Sequence, residues 1–157
     1  MSNKPRIAIE LFHRDQISIE PGARDRLGWA MYHWAILLRP KDFKQIDASV
    51  SYDVTDGIQL DPATRTDLNP EHNWRFRIRR PVNPLATGHF LGAIEIGKLP
   101  AKVTPQQFET LLSQVTIPLK NQSKDAESIM DAAMTLAGNV MAKGPPKKIE
   151  DRFQEVR

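Results

Sequence analysis

Residues 31–38 read MYHWAILL, a run of aromatic and aliphatic side chains broken only by His33 and closed by Pro40. A period of two sends Met31, His33, Ala35 and Leu37 to one face and Tyr32, Trp34, Ile36 and Leu38 to the other. Both faces are largely apolar, which predicts a strand buried on both sides at the centre of a sheet. Proline cannot donate to a β-ladder, so Pro40 stops it.

Working outward, Arg6 to Phe12 alternates and is rich in isoleucine, which predicts a first strand. Ala48 to Val54 alternates cleanly, with Ala48, Val50, Tyr52 and Val54 on one face and Ser49, Ser51 and Asp53 on the other. Trp74 to Arg80 and Phe90 to Gly97 supply two more strands across a connection punctuated by Pro81 and Pro84. Pro21-Gly22 marks a turn, Arg24 to Leu27 fits one helical turn, and Asp56-Gly57 with Asp61-Pro62 opens a long polar loop through His72. Five strands joined mostly by loops predict an antiparallel or mixed sheet and not a doubly wound one.

Two helices follow. Thr104-Pro105-Gln106-Gln107 combines an N-cap hydroxyl, a proline at the first helical position and a glutamine at the third, ahead of an apolar stripe of Phe108, Leu111, Leu112 and Val115. The second spans about Lys124 to Ala142, with Ser123 as cap and Ala126, Ile129, Met130, Ala133, Leu136, Ala137 and Val140 on one face, and ends at Gly144-Pro145-Pro146. The predicted fold is therefore α+β, an about five-stranded, mostly antiparallel sheet packed by two main helices. It is expected as a single domain over residues 1–157, with 1–5 and 144–157 as flexible tails, or a short surface helix near the C-terminus.

The 157 residues include no cysteine, which excludes disulfides, thiolate metal sites and a thiol nucleophile. Apolar residues at 40% and charged residues at 26% are a globular composition, ample for one core. No apolar run is long enough to span a bilayer and the first residues are polar, so a cytoplasmic protein is expected. Net charge is +3 with a pI near 9.3, a balance that admits an anionic partner. The glycines are too scattered for a phosphate loop, His13, His33, His72 and His89 lack metal-site spacing, and no Gly-x-Ser-x-Gly elbow occurs. No metal or cofactor is expected.

Two features are placed to carry chemistry. His33 sits mid-strand among apolar neighbours, where an imidazole needs a hydrogen-bond partner. It serves there as a general acid or base, or as a core histidine bonded to backbone. Arg75, Arg77 and Arg79 alternate with Trp74, Phe76 and Ile78, so one strand face displays three guanidiniums, with Arg80 a fourth charge at the end. Side chains two apart on a strand lie roughly 7 Å apart, near the spacing of phosphates along one nucleic-acid strand. The alternative is a solvated face partly neutralised by Glu95 on the next strand and by other nearby acids.

Taken in order, HWAILLRPK at 33–41, Ser51-Tyr52-Asp53-Val54, Trp74 opening a strand, Ile94 to Leu99 and a helix beginning Asp125 to Met130 resemble an uncharacterised family of small fungal proteins. That family is similar to the circularly permuted papain-like fold of NlpC-type peptidases and lecithin:retinol acyltransferase-like enzymes. The resemblance implies a catalytic histidine at His33, a second polar member at Asp53 that orients it, and a cysteine where this chain has Ala126. Alanine offers no nucleophile, so cysteine-dependent acyl transfer is excluded, and a papain-like scaffold acting as a binding or accessory protein, or as a non-thiol enzyme, is the expectation. A looser resemblance, to fungal arginine-containing cyclodipeptide synthases, implies aminoacyl transfer from tRNA held by Arg75, Arg77, Arg79 and Arg80. A third possibility is an interaction protein whose sheet edge or Trp74 and Phe76 surface meets another chain.

Overall fold

In the computed structural model, which describes residues 3–117 and 153–155, all five strands form where the alternation places them. They are β1 (Arg6–His13), β2 (Tyr32–Arg39), β3 (Ser49–Thr55), β4 (Arg75–Val82) and β5 (Phe90–Lys98). The sheet order is β4-β3-β2-β1-β5, every one of these pairs antiparallel, so β2 is interior as its two apolar faces require. A sixth strand, β6 (Phe153–Glu155), adds parallel to β5. Those residues fall in the segment expected as a tail, and three residues are too few for a periodicity to announce a strand. The helix expected over 124–142, with Ala126, lies outside the described residues.

Between β1 and β2 run two short helices, α1 (Gln16–Ile19) and α2 (Ala23–Leu27), then a 3-10 turn at Gly28–Met31. The buried Ser18 hydroxyl ties this connection down: it donates to the Met31 carbonyl at 2.5 Å and accepts from the Arg14 amide at 2.6 Å. The predicted capping box opens α3 (Pro105–Ser113). Thr104 Oγ1 accepts from the Gln107 amide at 3.2 Å while Gln107 Oε1 accepts from the Thr104 amide at 2.9 Å.

Each sheet face buries a different layer. On one, α3 lays Phe108 and Leu112 against Leu38, Tyr52 and Leu99, with the Tyr52 ring edge-on to Phe108 at 5.9 Å. On the other, 3-10 turns at Phe43–Ala48 and Pro84–Ala86 carry Phe43, Ile46 and Leu85 onto Ala8, Phe12, Leu37, Phe90 and Ala93. This second face is apolar only in part. Beside that cluster the strands present Arg6, Glu10, Arg39, Ser49, Ser51, Asp53 and Glu95, all buried. Its far end is bounded by the 56–74 loop, organised around buried Asn69, whose Nδ2 donates to the carbonyls of Asp56, Gly57 and Asn73.

Leu37 sits fully buried in the middle strand, so truncating it leaves a cavity that rigid neighbouring strands cannot close. Leu37→Ala is expected to cost about 2–5 kcal/mol, against less than about 0.5 kcal/mol for Ile96→Ala on an exposed position, read from urea midpoints.

Candidate anion-binding site

Register brings the site together. Across the sheet, Ala93, Glu10, Ala35, Asp53 and Arg77 stand opposite one another on β5, β1, β2, β3 and β4. Ala35, with only a methyl group, stands between Glu10 and Asp53 in this row. One row on, Phe12 faces His33, and in the row on the other side Ser51 faces Arg79.

Asp53 is the floor. Its side chain is 0% exposed, and an imidazole and two guanidiniums on two neighbouring strands converge on it. His33 Nε2 lies 2.9 Å from Oδ2. Arg77 donates from Nε to Oδ1 at 2.9 Å and from Nη2 to Oδ2 at 2.6 Å, a two-pronged grip that fixes the guanidinium plane. Arg79 Nη2 stands 3.5 Å from Oδ2 and donates to Ser51 Oγ at 3.1 Å. The Arg79 guanidinium also lies 5.5 Å over the Phe12 ring, and the His33 ring is 6.2 Å from it, so an aromatic wall backs both.

Burial pushes the Asp53 carboxyl towards the neutral acid, but the hydrogen bonds from His33 and Arg77 and the Arg77 charge outweigh it and hold the pKa down to about 2. Asp53 reciprocally raises Arg77. Glu10 goes the other way. It is fully buried with one hydrogen bond, from Ser51 Oγ at 2.8 Å, and burial pushes its pKa up to about 7 against the partial relief of Ser51 and Arg79.

What remains open is the imidazole and the two guanidiniums. Side-chain exposure is 26% at His33 and 33% at both Arg77 and Arg79, while the carboxyls lie below. Among the described residues nothing engages His33 Nδ1 or the Nη1 groups of Arg77 and Arg79. Two guanidiniums with free N–H groups beside an imidazole, around a buried counter-charge, suit an oxyanion, phosphate, sulfate or carboxylate, better than a nucleophilic reaction. Ser51 is the nearest hydroxyl, but its hydrogen is committed to Glu10, and the serine is buried. Nor does any group of His, Asp and Glu side chains among the described residues suit a metal ion.

Of the residues singled out in the sequence, the structure unites His33, Asp53, Arg77 and Arg79. Arg75 shares their face but turns to the loop, donating to the Ile58 carbonyl at 3.3 Å. Arg80 points to the opposite face and pairs with Glu109 of α3. Glu95 is not the counter-charge of the arginine stripe: β5 lies four strands from β4, and Glu95 instead holds Arg6 at 3.1 Å and Arg39 at 2.5 Å. Sequence reading missed Glu10 and Ser51. Each stands on the polar side of an alternating strand, a pattern that ordinarily signals solvent.

The two perturbed carboxyls set opposite pH trends. Asp53, lowered by folding, adds stability that is complete above its ordinary value and lost as pH falls through about 4 towards 2. Glu10, raised by folding, binds its proton more tightly in the folded chain, so stability falls as pH rises from about 4.5 to about 7 and levels off above. Glu10→Gln is expected to remove that alkaline decline, worth about 3 kcal/mol by pH 8, in urea denaturation across pH. A variant whose profile parallels the unaltered protein would contradict it.

No curated protein and no solved structure matches this chain. A family model does, over residues 4–144, a span that holds every strand of the site from Glu10 to Arg79. The chain belongs to that family, a family of unknown function (DUF6914).

Proposed function

We propose that this protein is a cytoplasmic binding or accessory protein that recognises an anionic group at His33, Arg77 and Arg79, on a papain-like scaffold that lacks its cysteine. The observation that carries the reading is the convergence of two partly exposed guanidiniums and a partly exposed imidazole on one buried carboxylate, Asp53. A carboxylate below fixes the guanidiniums and imidazole in place before any ligand arrives, so little side-chain freedom is lost on binding. The scaffold part is supported by the 2.9 Å contact between His33 and Asp53, the two positions that the papain-like resemblance pairs. The same contact would hold an imidazole for proton transfer to a bound ligand, which keeps a non-thiol enzyme within the proposal.

Binding of inorganic phosphate, sulfate and citrate is the direct test, followed through the Arg77 and Arg79 side-chain N–H resonances. Arg77→Gln and Arg79→Gln are each expected to weaken the affinity about ten- to a hundredfold, the worth of one charge-assisted hydrogen bond. Binding that ignores both substitutions would refute the site. For the scaffold, the papain-like resemblance implies a thiol at position 126 acting with His33, so Ala126→Cys is expected to alkylate with iodoacetamide faster than free cysteine near neutral pH.

The second reading, a tRNA-dependent aminoacyl transferase of the cyclodipeptide synthase kind, draws on the guanidiniums that the edge strand β4 shows on one face. It expects bulk tRNA to bind with a salt slope that drops by about two to three units when Arg75, Arg77 and Arg79 become glutamine. The anion-receptor reading expects the small-anion binding to vanish in that variant while any tRNA slope changes little.

A further inference from the structure

Behind the open cations lies a carboxyl that anion recognition as described above does not use. Glu10 is fully buried, Ser51 donates to its Oε2, and its Oε1 has no hydrogen-bond partner among the described residues. The Ser51 hydroxyl has one hydrogen, spent on Glu10, and its oxygen accepts from Arg79 Nη2 at 3.1 Å. One hydroxyl therefore stands between a buried carboxyl and a guanidinium that reaches solvent.

The charges facing Glu10 are few. From β3 come Ser51 and Asp53, from β4 comes Arg79, and β2 and β5 place Ala35 and Ala93 directly opposite it. Glu95 shares this face but is paired with Arg6 and Arg39. With Glu10 neutral, Arg77 and Arg79 together exceed Asp53 by one positive charge, available to a ligand. With Glu10 ionised that excess is cancelled from inside the protein, and the Glu10 carboxylate competes with any external anion for Arg79.

We propose that Glu10 is the proton-linked positioning residue of the anion site, so that an oxyanion held by His33, Arg77 and Arg79 binds together with a proton retained on Glu10. The inference rests on the anion reading of that site. Physically, a buried carboxylate with a single neutral hydrogen bond is poorly solvated, so it recovers the proton unless Arg79 is drawn towards it. An anion that draws Arg79 outward removes that relief and favours the neutral acid. Linkage makes the effect reciprocal: the anion raises proton affinity at Glu10 by the factor by which the proton raises anion affinity. Charge at the site thus adjusts to its occupant, and release is favoured as pH rises.

Sulfate is the probe, since its charge is constant across the range used. Its affinity is measured by calorimetry at about pH 6 and about pH 8.5, for the unaltered chain and for Glu10→Gln, in buffers without competing anions. The unaltered protein is expected to lose about fivefold more affinity over that interval than the variant. In parallel, the Glu10 side-chain carboxyl carbon is titrated by NMR in the unaltered protein, a reading that needs no variant. Its midpoint is expected to rise by about 0.7 pH unit in saturating sulfate, the counterpart of a fivefold coupling. A Glu10 midpoint indifferent to sulfate, or equal pH losses in both proteins, would overturn the proton link while leaving the anion site standing. Sulfate binding to neither protein at any pH would remove both together.

Discussion

A carboxylate withdrawn from water must recover several hydrogen bonds or give up its charge, and Asp53 recovers them from two other strands. That requirement reaches well beyond one residue. β4 is the sheet's edge among the described strands, and its inward side chains are arginines, which would not lie against a half-buried face without a counter-charge. Asp53 supplies it from the paired strand, at the register position opposite Arg77. His33 arrives from the other side, so β2, β3 and β4 are joined by side chains as well as by their ladders.

The two carboxyls of this face divide the work through their surroundings. Asp53, hydrogen-bonded by His33 and gripped by Arg77, remains charged, and Glu10, between methyl groups and one hydroxyl, tends to neutrality. The chemistry that results is recognition of charge more than bond making. The hydroxyl nearest the cations is already donating, and no residue among those described stands beside His33 as a nucleophile.

Much of the fold was legible in the amino-acid order. Period two disclosed the five long strands, and the Thr104 capping box disclosed the start of α3, because both signals are local. His33 was legible as an imidazole among apolar neighbours, Arg77 and Arg79 as an alternating stripe, and Asp53 only through resemblance. Glu10 and Ser51 were not. In IAIELF and SVSYDV they look like the solvent side of a strand, and their burial depends on which strands lie beside them and on the turns at 43–48 and 84–86 that cover this face. Register is a tertiary property, and a one-residue slip would have sent the whole set to the other face. The same gap explains Glu95. It follows the arginines in the chain, but β1, β2 and β3 intervene in the sheet.

β1, the earliest of the described strands in chain order, does not sit at the margin of the sheet. It lies between β2 and β5, and β5 is made some eighty residues after it. During synthesis β1 can pair early with β2, yet one of its edges stays bare until Phe90 to Lys98 emerges. For that interval a row of backbone donors and acceptors flanked by Ile7, Ile9 and Leu11 is unprotected, the kind of edge that recruits foreign strands. Contacts of such long sequence separation also slow folding. The buried charges Arg6 and Glu10 interrupt the apolar pattern of that waiting strand, so two residues that serve ion pairing and the site in the finished protein also make the unfinished one less adhesive.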